Sequence, residues 1–207
     1  MTMSIDQLKD IASEGNSQSQ YRIALQLASQ PDAEKHRATC LTLLKSAAGK
    51  GDKKAQYALG NWLIHGIGTR KNYRKAYNYF LTAAEQGYAL ACYEVAVCLD
   101  VGHGVKKNIN KAIEWYEIAA RLGCVEAQEA LAASYFHGTG VAQDHEAAFF
   151  WYRKAAAKGD AEAQYALGYC YEFGLGVRKN SRASTNWYRK ASKQGHQDAK
   201  KALHDSR

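Results

Sequence analysis

Apolar residues recur at helical spacing along residues 55–87, in two stripes that a short glycine-containing loop separates. Helices that bury one face show this alternation of apolar and polar positions. Gly66 is predicted to end the first helix, because helices commonly end at a residue with positive φ. Asn72 is predicted to cap the start of the second helix. Gly87 closes the unit. The stripes consist of Ala55, Leu59, Trp62 and Leu63, then Ala76, Tyr79, Phe80 and Ala83.

The same pattern returns every 36 residues. Glycines mark the period at Gly15, Gly51, Gly87, Gly123, Gly159 and Gly195. Aromatic pairs keep the register, and we predict that both rings of each pair lie in the core: Tyr79-Phe80, Trp115-Tyr116, Trp151-Tyr152 and Trp187-Tyr188. Because one copy cannot bury both of its stripes, the copies must stack. The sequence therefore predicts an all-α solenoid of helix-turn-helix repeats.

The residues within each copy resemble the Sel-one-like repeat (SLR), a relative of the tetratricopeptide repeat. Residues 127–159 carry GTGVAQD and then FWYRKAA, and residues 91–123 carry GHGVKKN and then KAIEWYEIAA. Departures from the family pattern are Asn at three cap positions, Thr69 for Val and Ser184 for Ala. The resemblance implies a right-handed α/α superhelix, and a role as a scaffold for protein complexes.

We expect one solenoid domain over residues 1–207. Its predicted parts are a capping helix at 4–15, a degenerate repeat at 16–51, four repeats at 52–87, 88–123, 124–159 and 160–195, and a capping helix at 196–207. In the degenerate repeat, Gln30 and Asp32 replace the loop glycines, while Pro31 and Asp32 predict a helix start.

Composition adds little about the partner. The Lys+Arg excess of 8 favours acidic partners at long range without specifying one. Five cysteines are an odd number, which favours a reducing compartment over a disulfide framework. No apolar run follows a basic start, so we expect neither a signal peptide nor a transmembrane helix. We therefore expect a cytoplasmic monomer, and the resemblance suggests a bacterial one.

Candidate binding residues lie on the face of each first helix opposite its core stripe, which the resemblance places on the concave surface. Tyrosines recur there, interrupted at Glu129, and such rings suit peptide recognition. The alternative is that these tyrosines only pack between adjacent helices. Residues that the repeat does not require are better evidence of a site. The full candidate set is Tyr21, Tyr57, Asn61, His65, Tyr93, Asp100, Glu129, Phe136, His137, Tyr165, Tyr169, Glu172 and Phe173.

Other chemistry is poorly supported. Basic pairs in the loops, such as Arg70-Lys71 and Arg178-Lys179, have no aromatic platform beside them, so we interpret them as solvated and disfavour nucleic acid. No CxxC, HxxxH or phosphate-loop spacing occurs, so we expect no metal, no cofactor and no enzyme. The leading hypothesis is an adaptor that binds a protein or peptide. The alternative is an inhibitor or immunity-type protein that blocks one toxin or enzyme.

Overall fold

The computed structural model describes residues 15–30 and 32–205, which fall into two compact units. The described residues of the first unit, up to Lys107, form helices α1 (Ser17–Ala28), α2 (Ala33–Gly49), α3 (Lys53–His65), α4 (Tyr73–Glu85) and α5 (Ala89–Val101). The predicted helix at 4–15 lies, except for Gly15, outside the described residues, as does Pro31. Residues 16–51 form a helical pair like those of the regular repeats.

The second unit begins at Asn108. It contains α6 (Ile109–Arg121), α7 (Val125–His137), α8 (His145–Ala157), α9 (Ala161–Phe173), α10 (Ser181–Lys193) and α11 (Gln197–Asp205). Within each unit every helix packs against the next along the chain. The described residues contain helices and no strand, which confirms the predicted all-α fold of paired helices. No helix among them is long and apolar enough to cross a membrane.

Local cap chemistry sets the helix ends as predicted. The Asn72 side chain accepts a hydrogen bond from the Lys75 backbone N–H at 2.9 Å, and Asn180 does the same for Ala183. Each such bond satisfies a backbone donor that has no partner inside the helix. At the other end of α3, Gly66 adopts φ +72°, the left-handed conformation that suits glycine.

In two of the loops the second glycine has a further role that the sequence did not reveal. A Cβ on Gly104 would collide with the backbone of Tyr73, and one on Gly176 with the backbone of His145. Both glycines also have positive φ, +74° and +67°. These two loops therefore rest directly on the start of the second helix of the preceding repeat, which only glycine permits.

Buried glutamines connect three of the repeats to the helix before them. The side-chain amides of Gln128 and Gln56 donate to the carbonyl oxygens of Ala120 and Ala48, at 2.9 and 3.3 Å. These carbonyls lie at the ends of the preceding helices, where intrahelical partners are lacking. The two side-chain amide nitrogens are thus buried with a partner, as burial requires.

Fewer aromatic rings are fully buried in the core than the sequence predicted. Small alanines at the helix contacts are almost fully buried, and so is the second ring of each aromatic pair, from Phe80 at 0% exposure to Tyr116 at 6%. The first ring of each pair is only half-buried. At Trp187, the Lys190 ammonium lies 4.0 Å from the ring centroid, on the outer side of α10. Trp151 and Trp187 pack against buried core residues, so the first ring lies at the margin of the core and not inside it as the sequence predicted.

All five cysteines are buried free thiols. Cys98 and Cys170 fill core positions as predicted, whereas Trp62 in the same register is half-buried. Desolvation raises the pKa of the Cys98 and Cys124 thiols to about 12. Because the thiolate is the reactive form, these cysteines serve packing and not chemistry.

Candidate functional site

A cavity of about 260 Å³ opens between α7, α8 and α9 in the second unit. We call it the aromatic cavity, because four of its lining residues carry aromatic rings other than histidine. It is lined by Phe136, His137, Tyr152, Glu162, Tyr165, Ala166 and Tyr169. Phe136, His137, Tyr165 and Tyr169 belong to the set that the sequence predicted.

The rings form a connected group. The Phe136 centroid lies 6.1 Å from that of Tyr169 and 6.3 Å from that of Tyr152, in edge-to-face arrangements. Such pairs hold their rings in defined orientations. Tyr169 in turn lies 4.5 Å from Phe173, which is 55% exposed. The cavity therefore has rigid aromatic walls and an exposed aromatic rim.

The cavity occurs where the repeat pattern is interrupted. In other repeats a first-helix tyrosine covers the buried second-helix ring: Tyr57 lies 5.8 Å from Phe80, and Tyr165 lies 5.6 Å from Tyr188. In the repeat that contains Tyr152, the position of this tyrosine is occupied by Glu129, which has no aromatic ring. Tyr152 consequently lines a cavity and is not covered by a tyrosine.

Three carboxylates lie close to one another beside these rings. Burial first, and then the charges of Asp160 and Glu162, raise the pKa of Glu129 from 4.5 to about 7. Asp160 caps α9 by accepting from the Ala163 N–H at 2.7 Å, and Glu162 contacts a ring nitrogen of His196 at 3.0 Å. In the ranges 15–30 and 32–205, no lysine or arginine forms an ion pair with these three carboxylates. Among those same residues, no three His, Cys, Asp or Glu side chains are arranged so that they could hold a metal ion.

Glu129→Gln is expected to stabilise the protein at high pH only. A carboxyl whose pKa is raised on folding binds its proton more tightly in the native state, so stability falls as pH rises from about 4.5 to about 7. After allowance for solvent screening, the variant should gain about 1–2 kcal/mol over the wild type near pH 8 and almost nothing near pH 4. Urea unfolding at both pH values measures this difference.

Glu114→Gln is the matched control, since Glu114 is exposed on α6 of the same unit. It should change stability little at either pH. A Glu129→Gln gain that is the same at both pH values would contradict the raised pKa.

The recurring tyrosines do pack between helices. Tyr57 contacts the Tyr88 ring edge-on at 5.2 Å, and Tyr165 stacks on His196 at 4.5 Å. Tyr88 and His196 each stand just before the first helix of the next copy. They occupy the same position of the 36-residue repeat, three periods apart. Tyr21 and Tyr93 are half-buried as well. Tyr57 and Tyr165 therefore take part in packing between helices, and Tyr165 also lines the aromatic cavity.

The remaining predicted residues are not part of the cavity wall. In the first unit, Asn61 is half-buried, His65 is exposed at the end of α3, and Asp100 lies 3.9 Å from the Lys107 ammonium. In the second unit, Glu172 accepts a 2.6 Å hydrogen bond from the Tyr188 hydroxyl.

The structure adds Tyr152, Glu162 and Ala166 to the site. Sequence reasoning had assigned Tyr152 to the core, and nothing singled out the other two. The interruption of the tyrosine series at Glu129 was the one signal that could have located them.

Comparison with solved structures identifies the architecture. The crystal structure of c5321, described as a protective antigen present in uropathogenic Escherichia coli strains displaying an SLR fold, is 30% identical with a TM-score of 0.92; the match covers 99% of this chain and 44% of that one. A Sel1 repeat protein from Oxalobacter formigenes is also 30% identical, with a TM-score of 0.87 and coverage of 97% and 58%. The chain thus spans less than two thirds of either protein.

A more distant structure shares the fold alone. Immunity protein Pa5087 from Pseudomonas aeruginosa is 23% identical with a TM-score of 0.58, over 91% of this chain and 72% of that one. No curated protein sequence matches the chain significantly.

The Sel1 repeat family model matches four consecutive segments, residues 53–88, 89–124, 125–160 and 161–196. These segments cover well over half of the chain and carry the period, the loop glycines and the aromatic pairs described above. The chain therefore belongs to the Sel1 repeat family, whose members generally serve as scaffolds for protein–protein interactions.

Proposed function

We propose that this protein is a non-enzymatic adaptor that binds a protein or peptide partner at the aromatic cavity and its rim. The observation that carries the proposal is the exposure of Tyr169 and Phe173, at 37% and 55%, directly beside an open cavity. A soluble protein gains nothing for its own stability from leaving adjacent large rings in water, and such patches commonly mark interaction sites.

The chemistry of these side chains suits a protein partner. Tyrosine and phenylalanine supply large contact areas with few rotatable bonds, so little conformational entropy is lost when they are covered. The two rim rings already contact each other, and Tyr169 also contacts Phe136, which orients them before a partner arrives. Pre-ordered aromatic anchors around a pocket are typical of residues that dominate binding energy.

Combined replacement of Tyr169 and Phe173 by alanine is expected to abolish partner binding without unfolding the chain. Each exposed anchor is worth roughly 1–2 kcal/mol or more in a covered interface, so the pair should weaken binding by about a hundredfold. Affinity capture from the native host, quantified by mass spectrometry, measures which proteins the wild type retains and the variant loses.

Phe150→Ala is the matched control. Phe150 is 41% exposed on α8 of the same unit, next to Trp151 and away from the cavity wall. It should leave capture unchanged. If capture survives the double variant and is lost in Phe150→Ala, the proposed site is wrong. Capture that disappears steeply with added salt in wild type and double variant alike would indicate nucleic acid in place of a protein partner.

An inhibitor or immunity-type role would use the same surface with one cognate target. The likeness to immunity protein Pa5087 extends to the fold only, so it gives this second candidate no residue-level support. The two roles differ in stoichiometry and affinity: an inhibitor should retain one protein at a 1:1 ratio and inactivate it, whereas an adaptor should retain a partner that stays active. The cytoplasmic location, bacterial origin and monomeric state expected above belong to this proposal.

A further inference from the structure

We propose that the aromatic cavity receives a positively charged side chain of the partner, a lysine or an arginine. This inference rests on the proposed function, because it names the group of the partner that enters the same site. It is carried by three features of the cavity: its size, its aromatic walls and the sign of the charge around it.

The size suits one side chain. Pockets that enclose whole drug-sized ligands have volumes of about 300–1,000 Å³. At about 260 Å³, the aromatic cavity lies just below that range. It is open to the exterior beside the exposed Phe173, so the backbone of a partner can remain outside while one side chain enters.

The walls suit a cation. The face of an aromatic ring carries partial negative charge and attracts an ammonium or guanidinium group within about 6 Å of its centroid. Phe136 meets both Tyr152 and Tyr169 edge to face, so the three rings present surfaces in different directions around one space. The aliphatic stem of lysine or arginine can meanwhile pack against apolar surface, and Ala166 supplies such surface in the cavity wall.

The local charge opposes the charge of the whole chain. The chain as a whole carries a formal charge of +8. At the cavity the charge is negative: Glu162 lines the wall, and both Glu162 and Asp160 interact electrostatically with Glu129. Without an arginine or lysine partner in the described residues, these carboxylates repel one another. A cation between the rings and the carboxylates would relieve that repulsion, whereas an anion would increase it.

The protonation of Glu129 supplies a second signature. Its pKa of about 7 reflects burial and neighbouring negative charge, so a bound cation should lower that pKa and release a proton. Cation binding should therefore strengthen as pH rises through neutrality. The titratable groups around Glu129 and the cavity include Asp160, Glu162, Glu172, Asp198, Tyr152, Tyr165, Tyr169, His137, His145 and His196.

The test uses the full chain and three probes of similar shape: the Nα-acetyl methylamides of arginine, lysine and norleucine. Titrations followed by NMR, on the ring signals of Phe136 and Tyr169, should give dissociation constants in roughly the millimolar range for the two cations. Binding of the uncharged norleucine probe should be about tenfold weaker.

Charge-removing variants locate the effect. Glu162→Gln should weaken the arginine probe about threefold to tenfold, while Glu114→Gln, with the same change in net charge, should leave it unaltered. The arginine probe should bind several-fold more tightly near pH 8 than near pH 6, and Glu129→Gln should remove most of that dependence. Unchanged melting temperatures show that the variants are folded.

Two results would overturn the inference: norleucine binding as tightly as arginine, or no perturbation of the cavity rings by either cation. Neither result touches the proposed function, which stands if the wild type captures a partner that the Tyr169 and Phe173 double variant loses. Conversely, cation-selective binding together with capture that is indifferent to the double variant would refute the proposed function and leave the cavity chemistry intact.

Discussion

Replacement of Phe80 by alanine is expected to lower the free energy of unfolding by about 3–5 kcal/mol. The Phe80 ring has 0% exposure, packs 5.8 Å from the Tyr57 ring, and lies so close to Gly60 that an added Cβ there would meet it at 2.7 Å and 2.9 Å. Neighbouring helices cannot close over the missing ring without moving their own contacts, so a cavity remains. Urea denaturation followed by circular dichroism measures the loss.

Tyr79→Ala is the comparison that makes this test specific. Tyr79 precedes Phe80 in the same aromatic pair, but its ring is half-buried. Its loss should cost about 1 kcal/mol, as is usual for a partly exposed residue. Equal losses for the two variants would contradict the conclusion that only the second ring of a pair belongs to the core.

Gly176→Ala is expected to cost about 3–4 kcal/mol, an unusually large effect for the addition of one methyl group. Gly176 has φ +67°, which an alanine adopts only with strain. Its Cβ would also overlap the His145 carbonyl group and approach the Glu146 nitrogen to 2.8 Å. Backbone atoms cannot rotate aside as a side chain can, so the loop and the start of α8 must separate. Thermal and urea unfolding report the loss.

Gly159→Ala separates the two causes. Gly159 has an even more positive φ of +97°, but an added Cβ would meet nothing within 4 Å. Only the torsional cost of about 1–2 kcal/mol should remain. If both variants lose the same stability, contact with His145 is not the reason why glycine stands at position 176.

Much of the helical framework could be predicted because its causes are local. Asn72 and Asn180 satisfy backbone donors three residues away, and Gly66 supplies the left-handed residue that ends α3. Apolar periodicity indicated which helix faces are buried. The roles of Gly104 and Gly176 escaped prediction, because the groups that they touch lie about 31 residues earlier in the chain.

The candidate site could be predicted only in part. Position within the repeat brought Phe136, His137 and Tyr169 to attention, and all three line the aromatic cavity. The same argument also selected Asn61 and His65, neither of which lines this cavity. A departure from a repeat pattern shows that a residue is free of the repeat's packing requirements, but it does not show what surrounds that residue.

The sequence by itself determined the repeat, its period of 36 residues and the paired helices, since these follow from spacings and caps within a few residues. Tertiary structure alone decided which ring of each aromatic pair is buried, and where the absence of a tyrosine at Glu129 leaves an open cavity. Both depend on the distance between helices in contact. Packing sets that distance through contacts between residues far apart in the chain, such as the rings of Phe136 and Tyr169, and no local pattern encodes it.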